Sequence, residues 1–208
     1  MRRGGAIRLE TLPRRKAEFI QPMECLPVTK LNDASQWTYE IKLDGYRAIA
    51  VKSGQTINLF SRRGKSFNSQ YPYLVEALAE LPEGTVVDGE VVALDDGGRP
   101  NFNLLQQFRS GASRICYFIF DLLVCNDRDL TKLPLVERRK LLNLRVKLKP
   151  GRIRVCEQFE VTANDMLVAV RAQKLEGVVA KRKDSFSSVR VSSRPPRKSY
   201  WRSYCLYL

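Results

Sequence analysis

Residues 37–51 constrain this chain more than any other stretch. Trp37, Tyr39, Ile41 and Leu43 alternate with polar neighbours, the two-residue period of a half-buried strand. Asp44-Gly45 follows, a hairpin turn signal, and residues 46–51 can run back as the returning strand. A sheet is therefore expected, with Lys42 near the end of one rigid element and Arg47 at the start of the next. A lysine held in a partly desolvated pocket can lose its proton and act as a nucleophile. The plain alternative is an edge-strand lysine beside an ordinary turn.

Further strand patterns fall near 56–60, 85–93, 115–124, 152–156 and 177–181, and helical ones at 71–79, 135–148 and 164–174. Thr162 or Asn164 is positioned to cap the last helix. Residues 102–108 suggest a short helix, and Asp95-Asp96-Gly97-Gly98 a loop. Strands in hairpin succession with interspersed helices predict an α+β fold with mainly antiparallel sheet. At 208 residues the chain fits one domain with tails. Residues 1–17 hold Arg2, Arg3, Arg8, Arg14, Arg15 and Lys16 against Glu10 alone, which reads as a basic arm, mobile unless docked.

Composition narrows the chemistry. Histidine is absent, so imidazole serves as neither base, nucleophile nor metal ligand; lysine, carboxylates and bound metal must do the work. The net charge of +14 suits a polyanionic partner such as nucleic acid, and taken alone would also suit an anionic membrane surface or ribosome. No apolar stretch reaches the length of a membrane-spanning helix, and the start lacks the apolar core of a secretory signal. Five scattered cysteines without a C-x-x-C pair argue for a reducing cytoplasm, against a disulfide framework and against a zinc site.

Five motifs in order carry a family resemblance. Lys42-x-Asp44-Gly45-x-Arg47 resembles the nucleophile motif of the covalent nucleotidyltransferases, which comprise DNA ligases, RNA ligases and mRNA capping enzymes. Leu59-Phe60-Ser61-Arg62-Arg63-Gly64 and Val86-Val87-Asp88-Gly89-Glu90-Val91-Val92 are similar to the second and third signatures. Tyr117-Phe118-Ile119-Phe120-Asp121-Leu122-Leu123 resembles the aromatic signature, and Leu175-Glu176-Gly177-Val178-Val179-Ala180-Lys181-Arg182 the fourth main one. Phe19-Ile20-Gln21-Pro22-Met23 and Pro134-Leu135-x-Glu137-Arg138-Arg139 lean towards the bacterial and archaeal ATP-dependent DNA ligases.

That resemblance implies an adenylation domain over residues 18–208, with two mainly antiparallel sheets and flanking helices around a nucleotide cleft (a nucleotidyltransferase, ATP-grasp-like fold). It implies that Lys42 attacks the α-phosphorus of ATP, expelling pyrophosphate and leaving AMP-lysine for transfer to a 5′-phosphate at a nick in double-stranded DNA. The implied ATP and AMP contacts are Glu40, Ile41, Lys42, Arg47, Arg62, Glu90, Phe120 and Lys181. Glu90 is placed on the ribose and, with Glu176, near Mg2+ or Mn2+. Phe120 would stack on adenine; without its signature it would read as core. Asp44 and Asp121 are read as holding turns and neighbours, and Arg63, Arg138 and Arg139 as arginines ordinary in a basic protein. The implied protein is monomeric, cytoplasmic and nucleoid-associated, with no membrane partner.

The tail at 187–208 departs from the family pattern. Where a tryptophan is followed by two alternating cations that reach the ATP phosphates, this chain reads Trp201-Arg202-Ser203-Tyr204-Cys205. Ser203 and Cys205 cannot neutralise phosphate, and the preceding Ser-, Arg- and Pro-rich run suits loop or disorder. The sequence ends at Leu208 without the oligonucleotide-binding domain usual in the family, so a separate such domain or a repair protein is an expected partner. The alternatives are a catalytically impaired pseudo-ligase that binds nicked DNA, and an RNA ligase or capping-type nucleotidyltransferase.

Overall fold

A computed structural model of the protein describes residues 7–31, 35–107, 114–147, 149, 151–187 and 203–207. In chain order its elements are β1 (Leu26–Pro27), β2 (Trp37–Ile41), β3 (Tyr46–Ser53), β4 (Thr56–Ser61), α1 (Pro72–Ala77), β5 (Thr85–Ala93) and α2 (Phe102–Gln106). They continue as β6 (Ile115–Cys125), β7 (Arg128–Asp129), α3 (Leu135–Arg145), β8 (Ile153–Val155), α4 (Ala163–Ala172), β9 (Gly177–Arg182) and β10 (Ser203–Tyr207). The fold is α+β. Among the described residues the strands form two sheets, one in the order β4-β3-β5-β6-β7 with β8 beside β6, the other β1-β10-β9-β2. Pairing is antiparallel except for β8 on β6 and β1 on β10.

Strand β3 shows why the larger sheet is apolar on both faces. Ala48 and Ala50 point into the main core with Leu59, Val87, Val91, Ile119 and Leu122, roofed by Leu74 and Leu142 from the helices. Ile49 and Val51 point the other way, onto Ala17 and Ile20 from the N-terminal segment. The basic arm is thus docked over its described part. Leu9 joins the main core, the Arg15 amide donates to the Asp127 carbonyl (2.9 Å), and the Asp129 amide to the Pro13 carbonyl (2.8 Å). The smaller sheet packs Trp37, Tyr39, Val178, Ala180 and Leu206 against Met166 and Val170 of α4. That helix is capped by Thr162, whose hydroxyl oxygen accepts from the Asp165 amide at 3.1 Å.

The strand expectation at 37–51 holds locally and fails in its pairing. Strands β2 and β3 are not a hairpin: β2 pairs with β9 in the smaller sheet, and β3 with β4 and β5 in the larger. Residues 42–45 therefore cross between sheets. Gly45 is required for closeness rather than for turn conformation, because a Cβ there would lie 2.2 Å from the Val91 carbonyl oxygen. That contact seats the crossover on β5 and leaves a cleft between the sheets.

Candidate active site

Lys42 follows the last residue of β2, yet its amide still donates to the Gly177 carbonyl of β9 at 2.9 Å. The backbone is pinned on one side by β9 and on the other by Gly45 against β5, so the side chain is aimed over the cleft, a cavity of about 290 Å³. Lys42 Nζ donates to Glu176 Oε1 at 2.5 Å and lies 4.6 Å from the centre of the Tyr207 ring. Burial pulls the Lys42 pKa down, but the hydrogen bond and charge of Glu176 outweigh it and hold the amine above the ordinary lysine value. The other Glu176 oxygen, Oε2, is buried and accepts no hydrogen bond.

A second lysine repeats the pattern deeper in the fold. Lys181 Nζ, on β9, donates to Glu40 Oε2 at 2.5 Å, while Gln158 Nε2 donates to Glu40 Oε1 at 3.2 Å. The Lys181 ammonium also lies 4.2 Å from the centre of the Phe120 ring. Phe120 is brought there by a β-bulge. Asp88 pairs with Asp121 and Gly89 with Ile119, so Phe120 is the extra residue of β6, and a bulge re-aims a side chain. Gly89 permits it, since a Cβ there would lie 2.4 Å from the Phe118 carbonyl oxygen.

Arginines and carboxylates complete the larger-sheet wall. Arg47 forks onto Asp88 (Nε to Oδ1 2.6 Å, Nη2 to Oδ2 2.7 Å) and lies 4.5 Å from the Phe120 ring centre. Burial opposes its charge, but Asp88 more than compensates and keeps the guanidinium firmly protonated. Arg138 is not an ordinary surface arginine. It is buried, forks onto Asp121 at 2.7 Å through both Nε and Nη2, and caps the Leu133 and Ser185 carbonyls. Arg139 is buried too, its Nη2 donating to the Cys156 carbonyl. Arg62 sits on the rim, 3.3 Å from Glu24. Glu90 makes no hydrogen bond or ion pair among the described residues, and burial pushes its carboxyl up to about 7.

All the proposed nucleotide contacts (Glu40, Ile41, Lys42, Arg47, Arg62, Glu90, Phe120 and Lys181) line this one cleft. Glu176 reaches it through Lys42. Opposite the larger sheet, β10 turns Ser203, Cys205 and Tyr207 towards the cleft; Trp201, Arg202 and the run 188–200 lie outside the described residues. Sequence reasoning missed Tyr207, Asp88 and Gln158. The alternation Ser203, Cys205, Tyr207 was a signal for the first, and a lone aspartate inside Val86–Val92 for the second; Gln158 carried none.

The carboxylates suit a hard divalent cation. Among the described residues no cluster of three or more His, Cys, Asp or Glu is poised for metal. Magnesium needs fewer, because it uses one or two carboxylates and takes its other ligands from phosphate and water. The unbonded Glu176 Oε2 and Glu90 fit that demand.

Comparison with known proteins agrees with this geometry. A protein-family model described as "ATP dependent DNA ligase domain" matches residues 22–191. The chain is 36% identical over 153 residues to the multifunctional non-homologous end joining protein LigD of Mycolicibacterium smegmatis, covering 73% of this chain and 20% of that protein. It is 29% identical over 170 residues to the SPbeta prophage-derived DNA ligase-like protein LigB of Bacillus subtilis, covering 80% of this chain and 62% of that one. A solved structure of mycobacterial DNA ligase D complexed with ATP and MES superposes with a TM-score of 0.71 at 30% identity, covering 91% of this chain and 60% of that one. The chain thus spans only part of the length of each.

Proposed function

This chain belongs to the ATP-dependent DNA ligase domain family, and from that premise we propose that it is a DNA ligase adenylation domain with Lys42 as its nucleophile. The observation that carries the reading is the Lys42–Glu176 pair at 2.5 Å, set at the cleft between the two sheets beside an unpartnered Glu90.

In this reading the purine rests against Phe120, Ile41 and Val179, and its phosphates reach towards Lys42. Lys42 must first lose a proton to solvent, which the hydrogen bond to Glu176 Oε1 opposes and the freeing of Glu176 from it favours. The Nζ lone pair then forms a P–N bond to the α-phosphorus. The α–β phosphoanhydride bond breaks, and pyrophosphate departs with the electron pair. Glu176 and Glu90 would hold a divalent cation, Mg2+ or Mn2+, that screens the departing charge. Transfer of AMP from Lys42 to the 5′-phosphate of nicked double-stranded DNA would complete the domain's part. A separate oligonucleotide-binding domain or repair protein is the proposed partner for sealing. Among the described residues no helix is long and apolar enough to cross a membrane; we place the protein in the cytoplasm at the nucleoid, as a monomer.

The test offers two AMP donors to the chain and to Lys42→Ala: α-labelled ATP with Mg2+ or Mn2+, and DNA with a labelled 5′-adenylate. An acid-labile adduct from either donor, absent in Lys42→Ala, is expected. A folded chain that takes label from neither would sink the assignment of Lys42 and leave a non-catalytic DNA-binding module in its place.

A further inference from the structure

One short stretch of chain ties the two sheets together beside the cleft. The Cys156 amide donates to the Ile119 carbonyl of β6 at 2.8 Å, and Arg139 of α3 holds the Cys156 carbonyl. Phe159 exchanges two hydrogen bonds with Tyr39 of β2, at 2.8 and 3.1 Å. Residues 156–159 are thus anchored on the larger sheet at one end and on the smaller sheet at the other. Gln158 lies within this strap, and its Nε2 donates to Glu40 Oε1 at 3.2 Å. Glu40 is the member of that pair that lines the cleft. Any effect of Gln158 on a bound nucleotide therefore passes through Glu40.

The Glu40 carboxylate is pulled two ways. Lys181 Nζ donates to its Oε2 at 2.5 Å while Gln158 holds Oε1, and the side chain is only 3% exposed. An ionised carboxylate offers about four acceptor positions and no donor, so both oxygens keep lone pairs for a ligand. A lysine ammonium is donor only, and Lys181 keeps donors beyond the one spent on Glu40. An acceptor beside a donor can read a purine edge in either of two senses. The acceptor at position 6 with the donor at N1 suits a 6-amino purine; the donor at position 6 with the acceptor at N1 suits a 6-oxo purine. Placement decides between them. Held by Lys181 alone, Glu40 would be free to turn both oxygens onto the ammonium and leave the lysine facing the base. Gln158 opposes that turn, because it keeps Oε1 on the strap and apart from Lys181.

We propose that Gln158 is a positioning residue that sets the base preference of the cleft: by holding Oε1 it presents Glu40 as the acceptor for the 6-amino group of an adenine nucleotide. The proposal rests on the nucleotide reading of the cleft given above and adds what enforces the choice of a 6-amino over a 6-oxo purine. Residue 158 falls outside every motif that carries the family resemblance. The match to an ATP-dependent family agrees with the first of the two senses.

The experiment is calorimetric titration of the chain with AMP and with IMP, which differ at position 6 of the purine and in the N1 proton that goes with it, repeated on Gln158→Met. Methionine matches glutamine in length and removes the donor. The parent should bind AMP about tenfold more tightly than IMP, and Gln158→Met should bring the two within about threefold, chiefly by weakening AMP. Both nucleotides are titrated into the same preparation, so a loss of folded protein leaves their ratio unmoved. A glutamine with a purely structural role would lower the urea midpoint when replaced and keep the ratio. An AMP preference that survives Gln158→Met, or a parent that binds AMP and IMP alike, would overturn the role of Gln158 and leave the nucleotide cleft standing. Binding of neither nucleotide by the parent would overturn the cleft assignment itself, and this role with it.

Discussion

Two lysines in this molecule have the same neighbours and opposite situations. Lys42 and Lys181 each donate to a glutamate at 2.5 Å, and each lies over an aromatic ring, Tyr207 at 4.6 Å and Phe120 at 4.2 Å. Lys181 stands inside β9 with a nearly inaccessible glutamate that a glutamine also holds. Lys42 stands just beyond the end of β2, its glutamate more open and one oxygen of it unbonded. A buried ion pair returns little net stability but is expensive to break, whereas a half-exposed one is cheap to exchange. A nucleophile must give up a proton and its counter-charge in every cycle. Of the two, only Lys42 is placed to meet that demand of its proposed role.

The widest separation should come from deleting each lysine. Lys42→Ala is expected to abolish the protein–AMP adduct while lowering unfolding stability by only about 1 kcal/mol, read by labelling and urea denaturation. Lys181→Met should cost about 3–5 kcal/mol, because it leaves the Glu40 carboxylate buried and unpaired. A loss for Lys181→Met no larger than that of Lys42→Ala would dissolve the contrast.

Next in size is the response of the Lys42 side to pH. Glu176 holds the Lys42 pKa above its ordinary value against the effect of burial. Without it burial prevails, so Glu176→Gln should shift the midpoint of the ascending limb of the pH profile of adduct formation to lower pH as well as lower its maximum. An unmoved midpoint would mean that Glu176 does not govern the protonation of Lys42.

Glu90 provides a stability readout in the same cleft. Burial raises its carboxyl from 4.5 to about 7 on folding. The folded chain therefore binds more protons than the unfolded one between those values, and stability declines as pH rises from 4.5 to 7. Glu90→Gln removes that decline, so its advantage over the parent should be larger at pH 8 than at pH 5 by about 2–3 kcal/mol. Equal differences at both pH values would show that the carboxyl titrates as it does in water. The smallest effect is expected for Tyr207→Leu. It removes the ring over Lys42 and should cost about 0.5–1 kcal/mol in adduct-forming efficiency, with no change in the urea midpoint.

Much of this was legible along the chain, and the reasons are local. Strand β5 falls at the residues its apolar run marked, α4 starts beside the Thr162 cap, and Lys42 and Phe120 sit in one cleft with the other motif residues. These follow from side-chain alternation, capping chemistry and motif order, all readable within a few residues. What failed was relational. Asp44-Gly45 carries a hairpin signal, but its glycine answers to the Val91 carbonyl of β5. Arg138 looked like one arginine among many until α3 laid it on Asp121. Tyr207 gained its meaning only when β10 paired with β9 and brought its ring over Lys42.

By itself, then, the sequence determined which motif residues were to be looked for in one cleft, where most of the strands and helices run, and which family the chain joins. Tertiary structure alone decided which sheet each strand entered and which carboxylate each cation met. Lys42 finds Glu176 across 134 residues, and Lys181 finds Glu40 across 141. Periodicity and turn signals act over a few residues, so they leave such partners open. The choice falls to the burial of whole sheet faces, which admits a charged group only beside an opposite one.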